Sequence, residues 1–488
     1  MWAEKSGYAG VQRVLGFVVA GASLMMLPPV LVAWWYQDGT ATLFLISAAV
    51  LLLSGMGIYL PVRRATRELR LRDGFLIVVC SWLALVLVGA LPFVLLASPQ
   101  ISSVDALFES MSGLTTTGAT ILTKLDTLPH GVLYYRQQLQ WLGGMGIIVL
   151  AVAILPILKV GGMQLFRAEM PGPQKDAKLT PRITETAKAL WIIYAGITVV
   201  CALAYWLAGM TLFEAVGHAF STMAIGGFST HDASMAYWGN PTIEIVAMFF
   251  MVVAGINFAL HFVAWRRATM QPYFLDPEVR VYIALLFFFA LLVSFTLFIN
   301  GTYPNLPDAF RYGSFQVVSM MTTTGYATAT FADWRGFVPT FLILIAFIGG
   351  CAGSTAGGMK VIRFILLYRQ SVREVHRLVH PNAVIPIKVG GQPTSPTVMD
   401  AVWGFFFLFI ASFVVLTIAL LATGLDSVTA YSAVGACITN LGPGLGQASL
   451  NYASLNDTAK LILSFAMLLG RLEIYTLLVL MTFAFWKD

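Results

Sequence analysis

Long apolar segments alternate with short polar connections along almost the whole chain. Runs of about 20 residues with few charges are long enough to cross the apolar core of a bilayer. Such runs lie near residues 13–36, 41–61, 75–97, 136–158, 188–209, 241–265, 279–299, 338–367, 400–423 and 458–486. The pattern therefore predicts an all-α membrane protein with ten spans. We interpret the first run as a retained span, because no small-residue cleavage site follows it.

The order of segments from residue 75 onwards repeats four times. Each unit has a long span, a short helix, a glycine-containing loop and a second long span. The short helices are predicted to begin near Asp105, Leu212, Asp308 and Asp426, and their length predicts that they are re-entrant. The predicted fold has four pseudo-symmetric span–pore helix–span repeats around one ion pore, plus two extra N-terminal transmembrane helices. The predicted boundaries are 1–74 for the N-terminal helices and 75–187, 188–278, 279–399 and 400–488 for the repeats.

Each re-entrant helix is followed by a loop that ends in glycine. The loops are Thr115–Gly118, Ala224–Gly227, Thr322–Gly325 and Thr439–Gly442, and their last glycines are 109, 98 and 117 residues apart. Four copies can surround one axis and offer rings of backbone carbonyls to a dehydrated cation. Ordinary glycine turns between hairpins would explain one loop, but not four in matching positions. The predicted ion ligands are Thr116, Thr117, Gly118, Ile225, Gly226, Gly227, Thr323, Thr324, Gly325, Asn440, Leu441 and Gly442.

The second span of the third repeat contains a dense glycine cluster between Gly349 and Gly358. A helix persists poorly there, because each glycine costs roughly 1 kcal/mol relative to alanine. We favour a gate, and the alternative is a close packing surface between helices. A nucleotide loop is excluded, because Gly357–Lys360 lacks the Gly-Lys-Ser/Thr ending. The predicted gate residues are Gly349, Gly350, Gly353, Ser354, Thr355, Gly357, Gly358 and Arg471.

Arg471 lies near the middle of the last span. A charge at that depth costs at least roughly 2.5–3.5 kcal/mol and by default marks a functional site. We expect its side chain to project into the pore and act as an electrostatic barrier to cations. The alternative is an ion pair with Glu473, which we disfavour because residues two apart on a helix face different directions.

Composition and charge support a membrane protein and give its orientation. The chain of 488 residues is 58% hydrophobic and 11% charged, with a mean hydropathy of +0.80, whereas soluble domains carry roughly 25% charged residues. Most of its 29 lysines and arginines fall on one side of the predicted spans, which places both termini in the cytoplasm. The acids assigned to the outer face include Asp105, Glu109 and Glu214. They form either a cation-attracting vestibule or simply the face that the positive-inside bias leaves acidic.

Two other functions are alternatives to a pore. A secondary transporter with inverted repeats would need paired broken helices and intramembrane acids. This chain shows parallel repeats, one strongly broken helix and almost no mid-span acid apart from Glu473, although proton coupling stays open. A membrane-embedded enzyme would need convergent His, Asp or Glu residues, and the pattern contains none.

A basic stripe follows the glycine cluster at helical spacing. It consists of Arg369, Arg373, His376, Arg377 and His380. Such a stripe binds a partner or anionic lipid head groups, or it is an ordinary solvated face. We favour the solvated face.

Taken together, these motifs resemble the Trk/Ktr/HKT potassium transporters. The resemblance rests on the four repeats, the glycine cluster, Arg471, and the stretches Thr115–Ala119, Ile225–Ser229, Thr322–Tyr326 and Asn440–Gly444. The two additional N-terminal spans resemble the bacterial TrkH-type members, and the resemblance covers essentially the whole chain.

The resemblance implies potassium uptake across the bacterial inner membrane, with K+ as the transported ion and no organic cofactor on this chain. It also implies a homodimer with one pore in each protomer. A cytoplasmic TrkA-type regulatory subunit that binds NAD(H), ATP or ADP is implied as the partner that controls the gate. In some plant members a serine in the first loop accompanies sodium transport, so Gly118 indicates potassium here.

Overall fold

The computed structural model describes residues 8–64, 71–149 and 183–487. In this part of the chain nearly all regular structure is helical. The N-terminal pair consists of α1 (Ala9–Ala22) and α2 (Leu27–Tyr36), which a 3-10 turn joins into one span, followed by α3 (Ala41–Tyr59). These helices precede the first repeat, as predicted.

The first two repeats follow the predicted order of elements. Repeat one consists of α4 (Leu71–Val94), the short α5 (Ser103–Leu114) and α6 (His130–Val149). Repeat two consists of α7 (Ile183–Leu207), the short α8 (Leu212–Ala224), α9 (Pro241–Ala254) and α10 (Phe258–Arg267). The small helix α11 (Gln271–Leu275) leads into repeat three.

The last two repeats have the same order, with a more divided second span. Repeat three consists of α12 (Pro277–Ile299), the short α13 (Leu306–Met321), α14 (Val338–Ala346) and α15 (Val361–Val379). A small antiparallel hairpin of β1 (Lys388–Val389) and β2 (Gln392–Pro393) connects it to repeat four. Repeat four consists of α16 (Pro396–Leu421), the short α17 (Ser427–Ile438), α18 (Asp457–Arg471), α19 (Tyr475–Leu480) and α20 (Phe483–Trp486).

The four short helices start in the same way. Each begins after a capping residue whose side chain accepts a hydrogen bond from the backbone N–H three positions later. The caps are Ser102, Thr211, Asn305 and Asp426. A side-chain oxygen at this position satisfies one of the free N–H groups of a helix start, so each short helix has a defined first turn.

The repeats are arranged in a closed cycle. Within each repeat, the first span packs on its own short helix: α4 on α5, α7 on α8, α12 on α13 and α16 on α17. The second span packs on the short helix of the next repeat: α6 on α8, α9 on α13, α14 on α17, and α18 back on α5. The predicted all-α fold is therefore confirmed, and its four short helices surround one axis.

Three of the ten predicted spans are not continuous helices. Among the described residues, six helices are long and apolar enough to cross a membrane unbroken, and the α9–α10 pair, bent by 95°, brings the number to seven if it forms one span. The second spans of repeats two, three and four are interrupted at 255–257, 347–360 and 472–474. The break in repeat three lies at the glycine cluster, as predicted, whereas the breaks in repeats two and four were not predicted. Residues 150–158 of the fourth predicted span lie outside the described residues.

Candidate functional site: a ring of four loops

The loops that end the short helices share one backbone conformation. In each, the residue directly before the glycine donates its N–H to a carbonyl near the end of the short helix, as Thr117 does to Ser112 at 2.9 Å and Thr324 does to Ser319 at 2.8 Å. The residue two before the glycine is left-handed in all four loops: Thr116, Ile225, Thr323 and Asn440 have φ between 54° and 65°. The sequences differ, but the repeated hydrogen bond imposes the same path.

The last glycine of each loop touches the next loop. A Cβ on Gly118 would overlap the carbonyl oxygen of Gly226. In the same way, a Cβ on Gly227 would overlap the carbonyl oxygen of Thr324, and one on Gly325 would overlap that of Leu441. The fourth glycine, Gly442, closes the cycle against the carbonyl oxygen of Thr117 at 2.6 Å from the Cβ position. All four glycines have positive φ, between 74° and 102°. We call residues 115–118, 224–227, 322–325 and 439–442 the loop ring.

The loop ring exposes carbonyl oxygens in a buried place. The carbonyls of residues 116–118 and 323–325 accept no hydrogen bond from the described residues, although the threonines among them are at most 1% exposed. Buried carbonyls without a donor are rare, because leaving them unpaired costs free energy. Backbone carbonyls without a protein donor are the groups that replace the hydration shell of a permeating cation in channel filters.

Two carbonyls of the ring are already occupied by side chains. The Gln140 amide donates to the carbonyl of Gly226 at 2.6 Å, and the Tyr452 hydroxyl donates to the carbonyl of Gly442 at 2.6 Å. Both lie in repeats two and four, whose sequences depart from Thr-Thr-Thr-Gly. The expectation of an approximately four-fold arrangement agrees with this difference.

A buried ion pair supports the loops of repeats one and two. The Arg136 Nε donates to Glu109 at 2.7 Å, and neither side chain is more than 1% exposed. Glu109 also accepts the N–H of Ile121 at 3.0 Å, and Arg136 donates to the carbonyl of Ser229 at 3.2 Å. The sequence placed Glu109 among the acids of the outer face, but its carboxylate is fully buried and therefore cannot contribute to an exposed vestibule. The signal in the sequence for this buried pair was Arg136, a charged residue at the start of an apolar run.

The glycine cluster forms an irregular segment against the loop ring, on the side where the short helices end. We call residues 347–360 the break segment. Gly358 donates its N–H to the carbonyl of Thr439 at 3.0 Å, and Gly357 donates to the hydroxyl of Thr323 at 2.7 Å. The Thr355 hydroxyl donates to the carbonyl of Met223 at 2.9 Å. The segment thus contacts three of the four repeats where their short helices end.

The break segment has further close contacts with repeat two. The Cys351 N–H donates to the carbonyl of Gly255 at 2.8 Å, and the Phe258 N–H donates to the carbonyl of Gly353 at 3.0 Å. A Cβ on Gly353 would lie 2.8 Å from Asn257. The bend at 255–257 therefore makes room for the segment, which the sequence pattern did not reveal.

Glu278 anchors the break segment from the start of α12. Its Oε1 accepts the N–H of Ala352 at 2.8 Å and the N–H of Ile362 at 3.0 Å. One carboxylate thus holds both the segment and the first turn of the helix that follows it. From the sequence, Glu278 looked like an ordinary acid in a first helical turn, so sequence reasoning missed its contact with the segment.

Arg471 lies beneath the ring and joins three repeats. Its guanidinium donates to the carbonyl of Thr355 at 3.3 Å and to the carbonyl of Gly143 at 3.0 Å. The side chain is 4% exposed, and its Nε has no hydrogen-bond partner among the described residues. Glu473 instead binds Arg363 at 2.6 Å. The predicted gate residues on the two chain segments are therefore in direct contact.

A charged cluster joins two loops on the side where the short helices begin. The His231 ring contacts Asp126 through Nδ1 and Glu214 through Nε2, the latter at 2.8 Å, and it stacks on Tyr237. Partial burial lowers the pKa of His231, but its hydrogen bonds to the two carboxylates outweigh this and raise the pKa overall. Burial raises the pKa of Glu214, but its bonds to His231 and Thr211 lower it to about 2.

These shifts predict how stability depends on pH. A raised histidine pKa stabilises the fold fully below its ordinary value of about 6.5, and the gain is lost as pH rises through the folded pKa. The lowered pKa of Glu214 stabilises the fold above about pH 4, and this stabilisation is lost as the pH falls through the folded pKa. We expect the free energy of unfolding to fall by about 1 kcal/mol or less on going from about pH 6 to about pH 9, because Asp126 is half exposed. Thermal unfolding of purified protein would measure this.

Two histidine variants test the assignment of this pH dependence to His231. His231→Gln should remove the dependence of stability on pH, and His376→Gln, on an exposed helix face, should keep it. An unchanged slope of stability against pH in His231→Gln would contradict the assignment.

The fold and the ring define the class of protein. Apolar helices long enough to cross a membrane surround a closed ring of four loops, which is the architecture of an integral membrane protein built from four repeats. A family model described as "TrkH: Cation transport protein" matches residues 42–486. The chain belongs to this family, and the resemblance drawn from the sequence is confirmed.

Individual relatives agree over almost the full length. The chain is 52% identical to the Trk system potassium uptake protein TrkH of Halomonas elongata, over 98% of this chain and 99% of that protein. It is 51% identical to the TrkH of Escherichia coli K12, over 99% and 100% respectively. The crystal structure of the potassium transporter TrkH from Vibrio parahaemolyticus has a TM-score of 0.91 and 49% identity, and covers 99% of this chain and 100% of that chain.

Proposed function

We propose that this chain takes up potassium across the bacterial inner membrane through a channel-like pore. The observation that carries the proposal is the closed ring of four loops with buried, unpaired carbonyls. The names of the relatives, which are potassium uptake proteins, identify the cation. A transporter of this kind is not an enzyme, and its cargo is K+.

The loop ring selects the ion in this proposal. The ligands are backbone carbonyls of residues 116–118, 225–227, 323–325 and 440–442, which replace the water shell of K+. Occupied carbonyls at Gly226 and Gly442 leave fewer equivalent sites than a symmetric four-fold filter has. The buried Glu109–Arg136 pair keeps the first two loops in place.

The break segment is the gate in this proposal. It lies against the inner side of the ring, and Arg471 holds it through the carbonyl of Thr355. The positive charge of Arg471 beneath the ring opposes the passage of cations while the segment is in place. Glu278 anchors the segment on its other side. Opening of the gate therefore requires the hydrogen bonds of Arg471 and Glu278 to the segment to break.

The surroundings of the pore follow from the same proposal. Both termini lie in the cytoplasm, where Lys and Arg are concentrated, and the short helices begin on the outer side. The functional protein is a homodimer in a lipid bilayer. A TrkA-type regulatory subunit docks on the cytoplasmic side, and the basic stripe on α15, where Arg373 and Arg377 share Glu374, is a solvated face on that side. Nucleotides bind that partner and not this chain.

The test is cation flux into liposomes that contain the purified chain alone. Potassium, rubidium, sodium and lithium are compared with and without a pH gradient. We expect potassium and rubidium flux well above sodium flux, independent of the gradient. Flux that requires a proton or sodium gradient would support a coupled cation transporter instead, and flux without preference among the four ions would contradict selection by the ring.

A further inference from the structure

The fourth glycine of the ring differs from the other three. Gly442 has φ of 102°, whereas Gly118, Gly227 and Gly325 lie between 74° and 83°. Its contact with the neighbouring loop is also the loosest, since a Cβ there would be 2.6 Å from the carbonyl of Thr117. The backbone of the fourth loop is therefore rotated relative to the others at the position that closes the ring.

The hydroxyl of Tyr452 lies where it can hold this rotation. Its Oη donates to the carbonyl of Gly442 at 2.6 Å, a short hydrogen bond between buried groups. The glycine carbonyls of the other three loops accept no hydrogen bond from the described residues. At the level of the four glycine carbonyls, the ring thus has three free oxygens and one that is held.

Tyr452 itself is firmly placed between two repeats. It lies in the connection between α17 and α18 but is only 1% exposed. Its backbone N–H donates to the carbonyl of Thr120 in repeat one at 2.8 Å, and its ring packs on Phe108 with the centroids 5.4 Å apart. The side chain thus reaches loop four while its backbone is fixed to loop one. A phenylalanine would keep both anchors and lose only the hydroxyl.

We propose that Tyr452 is a specificity-determining positioning residue of the pore. Its hydroxyl keeps the Gly442 carbonyl at a fixed distance from the axis and shares the lone-pair density of that oxygen. A carbonyl that cannot move inward cannot close around a cation smaller than potassium. The fourth loop therefore contributes to discrimination against sodium through a side chain that never touches the ion. This inference rests on the proposed potassium pore.

The test compares Tyr452→Phe with Tyr135→Phe. Tyr135 is a matched control, because it is equally buried and donates to a backbone carbonyl, that of Gly89 at 2.9 Å, outside the ring. We expect Tyr452→Phe to lower the ratio of potassium to sodium flux in liposomes by on the order of threefold, the size expected for one hydrogen bond. Potassium flux itself should stay within about twofold of the parent protein, and Tyr135→Phe should keep the parent ratio.

A second measurement distinguishes a change in ion selectivity from a loss of flux that is caused by misfolding. The thermal midpoint of purified protein is recorded in potassium and in sodium, and the difference reports selective binding without transport. We expect this difference to shrink in Tyr452→Phe and to persist in Tyr135→Phe. An unchanged flux ratio and an unchanged difference in Tyr452→Phe would overturn the role of Tyr452. A parent protein with no preference for potassium would instead overturn the proposed function.

Discussion

Gly118→Ser is expected to lower the potassium over sodium permeability ratio by on the order of tenfold, equivalent to about 1.4 kcal/mol of lost discrimination. Gly118 has φ of 83°, and a Cβ there would overlap the carbonyl oxygen of Gly226. A side chain must therefore displace the second loop as well as strain its own backbone. Because the four loops form one cycle, the displacement alters the position of several carbonyls at once. Flux or current ratios in potassium and sodium would measure it.

Gly39→Ser is the matched control for this prediction. Gly39 has nearly the same backbone angle, φ of 81°, but no atom lies within 4 Å of its Cβ position. It connects α2 and α3, outside the repeats. This variant carries the same backbone strain without a contact to the ring, so its permeability ratio should equal that of the parent. Equal ratios in all three proteins would show that Gly118 does not shape the ion pathway.

Arg471→Ala is expected to raise basal potassium flux by on the order of tenfold, since a shift of about 1.4 kcal/mol toward the open state suffices. The change removes the bond that holds the break segment, to the carbonyl of Thr355, and a second bond to the carbonyl of Gly143 in α6. It also removes a positive charge from beneath the ring. The variant should still fold, because burial of the Arg471 charge, whose Nε lacks a hydrogen-bond partner, has a desolvation cost that alanine does not have. Liposome flux of the chain alone, without any partner, would measure the effect.

Lys460→Met serves as the control for Arg471→Ala. Lys460 is a buried cation on the same helix, α18, but it pairs with Asp105 at 2.6 Å near the helix start. It has no hydrogen bond to the break segment among the described contacts. Removing this charge should leave basal flux within about twofold of the parent. If Arg471→Ala and Lys460→Met gave the same flux, Arg471 would be a structural residue and the packing interpretation of the glycine cluster would gain support.

The sequence was sufficient for the general plan of the protein because that plan depends on local pattern. Apolar run length decides what can cross a bilayer, so the first spans of the repeats were predictable. Caps such as Thr211, with Glu214 three residues later, have a local signature, so the starts of the short helices were predictable as well. The loop glycines stood out because a repeat compares the chain with itself.

The breaks in the second spans were harder to predict. A glycine cluster announces the interruption in repeat three, but the bends at 255–257 and 472–474 have no such composition. The first bend is fixed by contacts with the break segment, such as the bond from Cys351 to the carbonyl of Gly255. The second has Glu473 in a left-handed conformation, bound to Arg363 in another repeat. Hydropathy reads such segments as continuous, because it does not register tertiary hydrogen bonds.

By itself, then, the sequence determined the helical class, the four-fold repetition and the positions of the ring glycines, since each depends on neighbours along the chain. Only the tertiary structure decided which partners the buried polar groups take. The sequence placed Glu109 on the outer face, and nothing in the local sequence marks Glu278 or Tyr452. Each is fixed by a group from a distant part of the chain. Buried polar groups must find hydrogen-bond partners, and which partners are within reach depends on how the four repeats close.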